Sequence, residues 1–409
     1  MTSAPPDAGE PSAPGMHVRI VGTGLIGTSL GMALSRKGFH VSLDDPSPTA
    51  AALARDLGAG VLAADSADGA ESAGRAGAAN SADRDATPAP APVLVVIAAP
   101  PDVVASVVAR ELVRWPNAVV TDAASVKGAV LNALQATALQ DKGVDLTRYV
   151  GSHPMTGRER SGAVAAQVDL FEGRSWVVAP GPHASAAAVD LVRQIAVAAG
   201  SAVLVMTPDE HDAAVAAVSH VPQIAASLVA SRLRDLPSGA IALSGQGIRD
   251  VTRIAASDPS MWTQILSGNA PAVRTVLESL AAELDGVLVA LRRLESERNG
   301  DAGGAGGAIG ARAVLAKAVA DGNAGQARIP GKHGTAPTTY ASVIVVVPDE
   351  PGALGRLLRD VGEAGVNMED LHLEHGIGQP FGLAELSVLP AAVQPLITAL
   401  TALGWPVHQ

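Results

Sequence analysis

The sequence predicts an α/β domain, then an all-helical domain, then a small α+β domain at the C-terminal end. Three observations predict this order. Apolar runs of the kind buried in parallel sheets alternate with helical patterns from His17 to Val205. From Thr207 to Glu297 the pattern is helical throughout, and from Tyr340 strands and helices return in the order β-α-β-β-α.

The first strand and helix justify the α/β assignment most directly. In His17 to Gly27, HVRIVGTGLIG, an apolar run ends in Gly22-x-Gly24-x-x-Gly27, and a helical pattern starting with Leu25 and Ile26 follows it. Strand, tight glycine turn and helix are the context that a dinucleotide fingerprint requires. Gly22 permits the sharp turn, Gly24 lets the backbone approach a pyrophosphate, and Gly27 removes the Cβ that would hold helix and strand apart. The pyrophosphate would face the unpaired N–H groups of the helix start. A second strand over 39–43 ends at Asp44 and Asp45, where a carboxylate can accept hydrogen bonds from an adenosine ribose. Either acid would repel a 2'-phosphate, so the expected cofactor is NAD rather than NADP. This is a Rossmann-like domain.

The remaining α/β elements follow in order. A helix is expected over 49–57 and a short strand near Val61. Residues 66–92 fall into Ala, Ser, Asp, Gly and Pro without a period and read as a low-complexity surface insertion. A buried strand over 93–98, a helix opened by Pro100 and Pro101, and a strand over 119–121 lead to Asp122-Ala-Ala-Ser125-Val-Lys127. Strands over 149–152, 175–179 and 202–205, with a helix over 184–199, carry the sheet past six strands and make it mixed at one edge.

Thr207-Pro-Asp-Glu210 is a capping box, and helices are expected over 208–233, 248–257, 259–266 and 271–297. In the last, Val273, Val276, Leu277, Leu280, Leu284, Val287, Leu288, Leu291 and Leu294 form one apolar stripe, which suits either a second subunit or internal packing. The third unit, with strands over 341–347, 366–375 and 382–389, helices over 352–363 and 391–403 and a last strand near Val407, is ferredoxin-like. The expected division is a disordered leader at 1–15, a nucleotide-binding domain at 16–206, and a helical substrate and dimerisation domain at 207–297. A linker at 298–334, with a short helix over 311–319, then leads to a small domain at 335–409.

Composition narrows the function. A formal charge of −11, from 29 basic and 40 acidic residues, argues against nucleic acid as the main partner. The absence of cysteine excludes disulfides and thiolate chemistry. No uninterrupted apolar stretch approaches about twenty residues, so no membrane span is expected. The first fifteen residues lack the basic start and apolar core of a signal peptide, and a cytoplasmic protein is expected.

Several side chains could carry chemistry. His153, in Ser-His-Pro-Met-Thr-Gly, is a natural acceptor for a hydroxyl proton when a cofactor removes hydride; the alternative is a loop histidine bonded to a carbonyl. Ser125 at a strand end can donate and accept, and Lys127 follows it, although an ordinary cap and a surface cation would look the same. His211 and His220 lie nine residues apart, on roughly opposite faces of a regular helix, so they are not expected to bind a metal together unless a kink at Pro222 reorganises the end of the helix. His220 and Gln223 share a face and suit a polar pocket wall. Arg249 and Arg253 also share a face; Arg253 offers a fork for a carboxylate, or a salt bridge to Asp250 or Asp258. No metal motif is present.

These motifs together resemble the bacterial prephenate dehydrogenases with a C-terminal ACT domain. The resemblance runs through Gly22-Thr-Gly-Leu-Ile-Gly27, Thr121-Asp-Ala-Ala-Ser-Val-Lys127, Gly151-Ser-His-Pro-Met-Thr-Gly157, Asp209-Glu-His-Asp212, Ser219-His-Val-Pro-Gln223 and Asp250 to Trp262. It implies NAD-dependent oxidation and decarboxylation of prephenate to 4-hydroxyphenylpyruvate, with arogenate as the alternative or additional substrate. His153 then corresponds to the proton acceptor, Ser125 to the serine beside the hydroxyl and nicotinamide, and Arg253 to the carboxylate grip. Arg249 and His220 match the pocket wall, and Asp45, rather than Asp44, the ribose acid. Gln223 departs from the family's frequent histidine and cannot titrate as one. Asp349-Glu-Pro-Gly352-Ala353-Leu354-Gly355 and Gly365-Val-Asn367 resemble ACT loops that bind an amino acid at a domain interface, with tyrosine the first choice of effector and phenylalanine the second. An ACT domain that only oligomerises is the alternative, as is, for the whole chain, a non-catalytic NAD and amino-acid sensor. A homodimer is expected.

Overall fold

The computed structural model describes residues 15–63, 91–156, 162–298, 306–330, 340–375 and 380–408. Almost all of the expected leader and of the 66–92 insertion, and Gly157 of the His153 motif, lie outside them. The chain falls into two compact units: residues up to Leu243 with Ile248–Leu280, and Ser244–Gly247 with the residues from Ala281 onward.

The first unit opens with β1 (His17–Val21), α1 (Leu25–Arg36), β2 (His40–Asp44), α2 (Pro48–Asp56) and β3 (Val61–Leu62). It continues with β4 (Leu94–Ile97), α3 (Pro101–Arg114), β5 (Val119–Asp122), α4 (Gly128–Gln140) and β6 (Tyr149–Pro154). Then come β7 (Ser175–Ala179), α5 (Ala186–Ala198) and β8 (Ala202–Val205). The eight strands are ordered β3-β2-β1-β4-β5-β6-β7-β8. All neighbours are parallel except β6 and β7, where the sheet becomes mixed. Chain order reverses between β1 and β4, the switch point beyond which a dinucleotide lies in doubly wound sheets. Val18, Ile20, Leu30 and Leu34 pack one face, and Val95, Ile97, Val104 and Leu112 the other, so the central strands are buried on both sides.

His153 is not in a loop. Antiparallel pairing with β7 extends β6 to Pro154 and sets His153 opposite Val177. An apolar alternation too short to announce itself in sequence is completed by its partner strand.

Helices then follow: α6 (Pro208–Val215), a π turn (Ala216–His220), α7 (Val221–Ser231), α8 (Ser238–Ile241) and α9 (Gln246–Thr252). A 3-10 turn (Arg253–Ala255), α10 (Pro259–Gly268) and α11 (Ala270–Arg298) complete the series. The expected capping box forms, with Thr207 and Glu210 satisfying each other's backbone amides. Pro222 has no N–H to offer the carbonyl of Val218, and the widened turn before it accommodates that missing bond. Pro208–Ser231 is, by length and composition, apolar enough to cross a membrane. His211, Asp212, His220 and Gln223 are nevertheless buried on it by the rest of the unit, while Val218 and Leu228 are exposed.

In the second unit the segment expected to be a linker with a short helix forms α12 (Gly306–Gln326), 21 residues long. Its alanines outweigh its glycines in helix propensity. The unit ends in β9 (Ala341–Pro348), α13 (Ala353–Glu363), β10 (Met368–His375), β11 (Phe381–Val388), α14 (Val393–Ala402) and β12 (Val407–His408). The strands form an antiparallel sheet ordered β10-β11-β9-β12, with Val343, Val345, Leu357, Leu386, Leu396 and Leu400 among its core.

Candidate active site

The glycine turn after β1 has the geometry its spacing predicts. Gly22 has φ +101°, and a Cβ there would lie 2.3 Å from the Ala98 carbonyl oxygen; one on Gly27 would lie 1.9 Å from the Gly22 oxygen. At Gly24 a Cβ would meet nothing within 4 Å, so this glycine opens the turn on the side where a pyrophosphate would approach. Gly24 also sits at the N-cap of α1. The two acids after β2 separate cleanly. Asp44 is held by the buried Arg19, which also pairs with Glu111. Asp45 instead accepts from the Thr23 amide at 2.7 Å and the Thr23 hydroxyl at 2.9 Å, against the glycine turn. These residues fit a dinucleotide with an unphosphorylated ribose.

A buried polar cluster lies under the strand ends. The Lys127 ammonium donates to Asp122 and to the Ser152 carbonyl, and Asp122 accepts from the Tyr149 hydroxyl at 2.7 Å. Lys127 is therefore neither a surface cation nor a simple helix start, since its side chain is 1% exposed. Burial lowers the Lys127 pKa, with Asp122 opposing, and burial together with Asp122 drives the Tyr149 hydroxyl well up. Ser125 is half-buried in the loop between β5 and α4.

His153 faces α6. Its Nδ1 is 2.9 Å from Nε2 of His211, whose Nδ1 is 2.8 Å from Asp212 Oδ1. The Asp212 carboxylate also accepts from the Lys127 and Gly128 amides at the start of α4, at 2.9 and 2.8 Å. Burial, then the neighbouring His211, Lys127 and His220, hold the His153 imidazole well below its ordinary value of 6.5. Burial pushes the Asp212 carboxyl up, but the His211 contact and the two amides outweigh it, and the net shift is downward.

His220 is buried too, with Nδ1 3.1 Å from Asn269 Nδ2 and its ring edge-on to Trp262. Sequence periodicity put His211 and His220 on opposite faces. The π turn absorbs about one residue, so nine steps advance roughly 80° instead of roughly 180°. Both rings consequently enter the cluster. Burial lowers the His220 pKa, with Asp212 opposing.

Gln223 is buried between Ser227 and Ser257, its Oε1 3.4 Å from the Ser257 hydroxyl, which donates to the Ile254 carbonyl at 2.7 Å. It thereby ties α7 to the turn that begins with Arg253. Arg249, on α9, and Arg253 are exposed. Thus His153 and His220 come together around His211, Asp212 and Lys127. Sequence reasoning gave no role to His211, Asp212 or Asn269. The signal for the first two was an Asp beside a His on the turn facing β6, legible only once that packing is known.

In the second unit, Asp349, Gly352, Ala353 and Leu354 lie where β9 gives way to α13, with Gly352 left-handed at φ +89°. Asn367 is at the opposite end of the sheet. Met368 faces Val388, which faces Ala341, whereas Pro348 faces Phe381. One copy therefore does not gather these five residues.

A dinucleotide-type glycine turn at a switch point, and on β6 of the same sheet a half-buried imidazole held well below its ordinary pKa, are the features of an NAD-dependent dehydrogenase. Residues 30–206 match the family model of the prephenate dehydrogenase nucleotide-binding domain, and residues 207–299 that of the prephenate dehydrogenase dimerization domain. The Streptomyces niveus protein named "Probable prephenate dehydrogenase NovF" is 34% identical over 391 residues, 95% of this chain and 98% of that one. A cyclohexadienyl dehydrogenase from Zymomonas mobilis is 28% identical over 66% of this chain and 86% of its own. The crystal structure of the Aquifex aeolicus prephenate dehydrogenase in complex with hydroxyphenyl propionate and NAD+ is similar over 69% of this chain and 93% of that one. Its TM-score is 0.57 and its sequence identity 27%. The chain belongs to the prephenate dehydrogenase family.

Proposed function

We propose that the protein oxidises and decarboxylates prephenate with NAD, giving 4-hydroxyphenylpyruvate, carbon dioxide and NADH. The observation that carries this reading is the placement of His153, 2.9 Å from His211 in a chain of polar groups at the strand ends, where its surroundings hold its pKa well down. His153 accepts the proton of the ring hydroxyl as the carbonyl forms and returns it to the same oxygen when loss of carbon dioxide makes the ring aromatic, so no net proton is taken up. NAD, when bound, is the hydride acceptor, held by Gly22, Gly24, Leu25, Ile26, Gly27 and Asp45. Ser125 orients the hydroxyl, Arg253 grips a substrate carboxylate, and Arg249, His220 and Gln223 complete the pocket, Gln223 by holding the Arg253 turn.

The same reading makes the enzyme a cytoplasmic homodimer with a C-terminal ACT domain. Leu284, Leu288 and Leu291 are exposed in the single chain, which supports the dimer. The β-α-β-β-α-β order of residues 341–408 supports the ACT assignment. The opposite-end placement of Asn367 fits an effector site shared between two copies, with tyrosine or phenylalanine as ligand at Asp349, Gly352, Ala353, Leu354 and Asn367.

NADH formation with prephenate or arogenate, each against NAD and NADP, tests the assignment. Prephenate with NAD is expected to give the highest kcat/KM; turnover of arogenate alone would overturn the substrate, and preference for NADP the cofactor. R253A is expected to raise KM for prephenate by about tenfold or more while leaving NAD affinity alone, and unchanged saturation would remove the carboxylate grip.

A further inference from the structure

We infer that His211 and Asp212 are positioning residues of the reaction, which fix the tautomer of His153 and share the charge it gains on taking a proton. The inference rests on the reading of His153 as proton acceptor. An ionised carboxylate can only accept. Asp212 is ionised by its setting: Oδ1 takes the Lys127 amide, Oδ2 takes the Gly128 amide, and both amides belong to the positive end of α4. The His211 Nδ1 beside Oδ1 must therefore carry a hydrogen. With His211 uncharged its Nε2 is bare, and the His153 Nδ1 that meets it at 2.9 Å is the donor. What is left is His153 with a bare Nε2, the form that can receive a proton.

The free imidazole of histidine prefers the other tautomer, with hydrogen on Nε2, which could not act as a base at that nitrogen. His211 reverses this preference. The other charged or titratable groups near His153 do not compete for its Nδ1. Lys127 is engaged by Asp122 and the Ser152 carbonyl. His220 turns its Nδ1 to Asn269, whose amide also reaches the Asp212 carbonyl at 2.8 Å. When His153 takes the substrate proton, the new positive charge lies two hydrogen bonds from the Asp212 carboxylate, which opposes the unfavourable fields of His211, Lys127 and His220. Gly128 belongs to the same device, because a Cβ there would lie 2.9 Å from Asp212 Oδ2.

The test is nitrogen NMR of the full-length protein labelled at histidine, with the His153 signals assigned by their loss in H153N. Wild-type His153 is expected to be protonated at Nδ1 and bare at Nε2 near neutral pH; hydrogen on Nε2 would overturn the inference outright. H211L removes both hydrogen bonds at similar volume and is expected to release His153 to the Nε2–H tautomer. It should lower kcat by about thirtyfold or more, with KM for prephenate and NAD affinity within about twofold of wild type. H211Q can accept from His153 and donate to Asp212 at once, and is expected to restore the tautomer and recover most of the turnover. H211L with the Nδ1–H tautomer retained, or with kcat within about threefold of wild type, contradicts the relay. Full activity in H153N would instead remove the base reading and leave the tautomer result standing on its own.

Discussion

Gly128 shows how much one missing methyl group decides. The Asp212 carboxylate reaches the first amides of α4 because no Cβ stands between them. G128A is expected to push the carboxylate away and cost about 1–3 kcal/mol of stability, read by urea unfolding, with a fall in kcat that exceeds any change in KM. An unchanged unfolding midpoint would show that the helix start yields without cost. Among the residues, those with a chemical signature were legible in sequence: Gly22 and Gly27 by spacing, Asp45 by its distance from them, and His153 by its setting among small and rigid neighbours. Gly128 and Lys127 were not. In a chain with 43 glycines a single glycine carries little signal, and a lysine at a helix start looks solvated until Asp122 and the Ser152 carbonyl are seen to enclose it.

At the scale of elements, hydrophobic pattern located the strands and helices of the first unit because each buries a face or a stripe of fixed period. What it could not supply was phase through the turn just ahead of Pro222. A periodic count assumes a constant angle per residue, and the π turn Ala216–His220 breaks that assumption at the point where two histidines must converge. Replacing Pro222 by alanine returns an N–H to the Val218 carbonyl and should let the π turn relax to regular helix with all nine steps kept, swinging His220 away from Asn269 by about 100°. Expected is a folded protein with NAD affinity kept and turnover lost by about tenfold or more; retained turnover would mean that the phase of this helix is immaterial. Residues 306–326 were misjudged for a related reason, since glycines scattered through alanine read as linker although the stretch sustains a helix.

For the molecule as a whole, the α/β fingerprint and the helical and β-α-β-β-α patterns outlined the architecture, while the proposed dimer rests on surfaces that one chain leaves uncovered. Leu284, Leu288 and Leu291 continue the stripe that Val273 starts in the core, yet they lie exposed in the single chain. Light scattering is expected to give about twice the 40.9 kDa chain mass, and L284E to shift the protein toward monomer at micromolar concentration. A wild-type mass of one chain would remove the dimer. The account as a whole stands on a histidine kept uncharged beside the cofactor crevice, and the pH profile of kcat/KM for prephenate tests that most directly. The base works only when neutral, and burial with three cationic or titratable neighbours lowers its pKa, so activity should persist as pH falls through 6.5 and decline only in more acid solution. H153N should bind NAD normally and lose about a hundredfold or more in kcat across that range. An acid limb at or above 6.5 in the wild type, or an H153N enzyme within about threefold of it, would contradict the account.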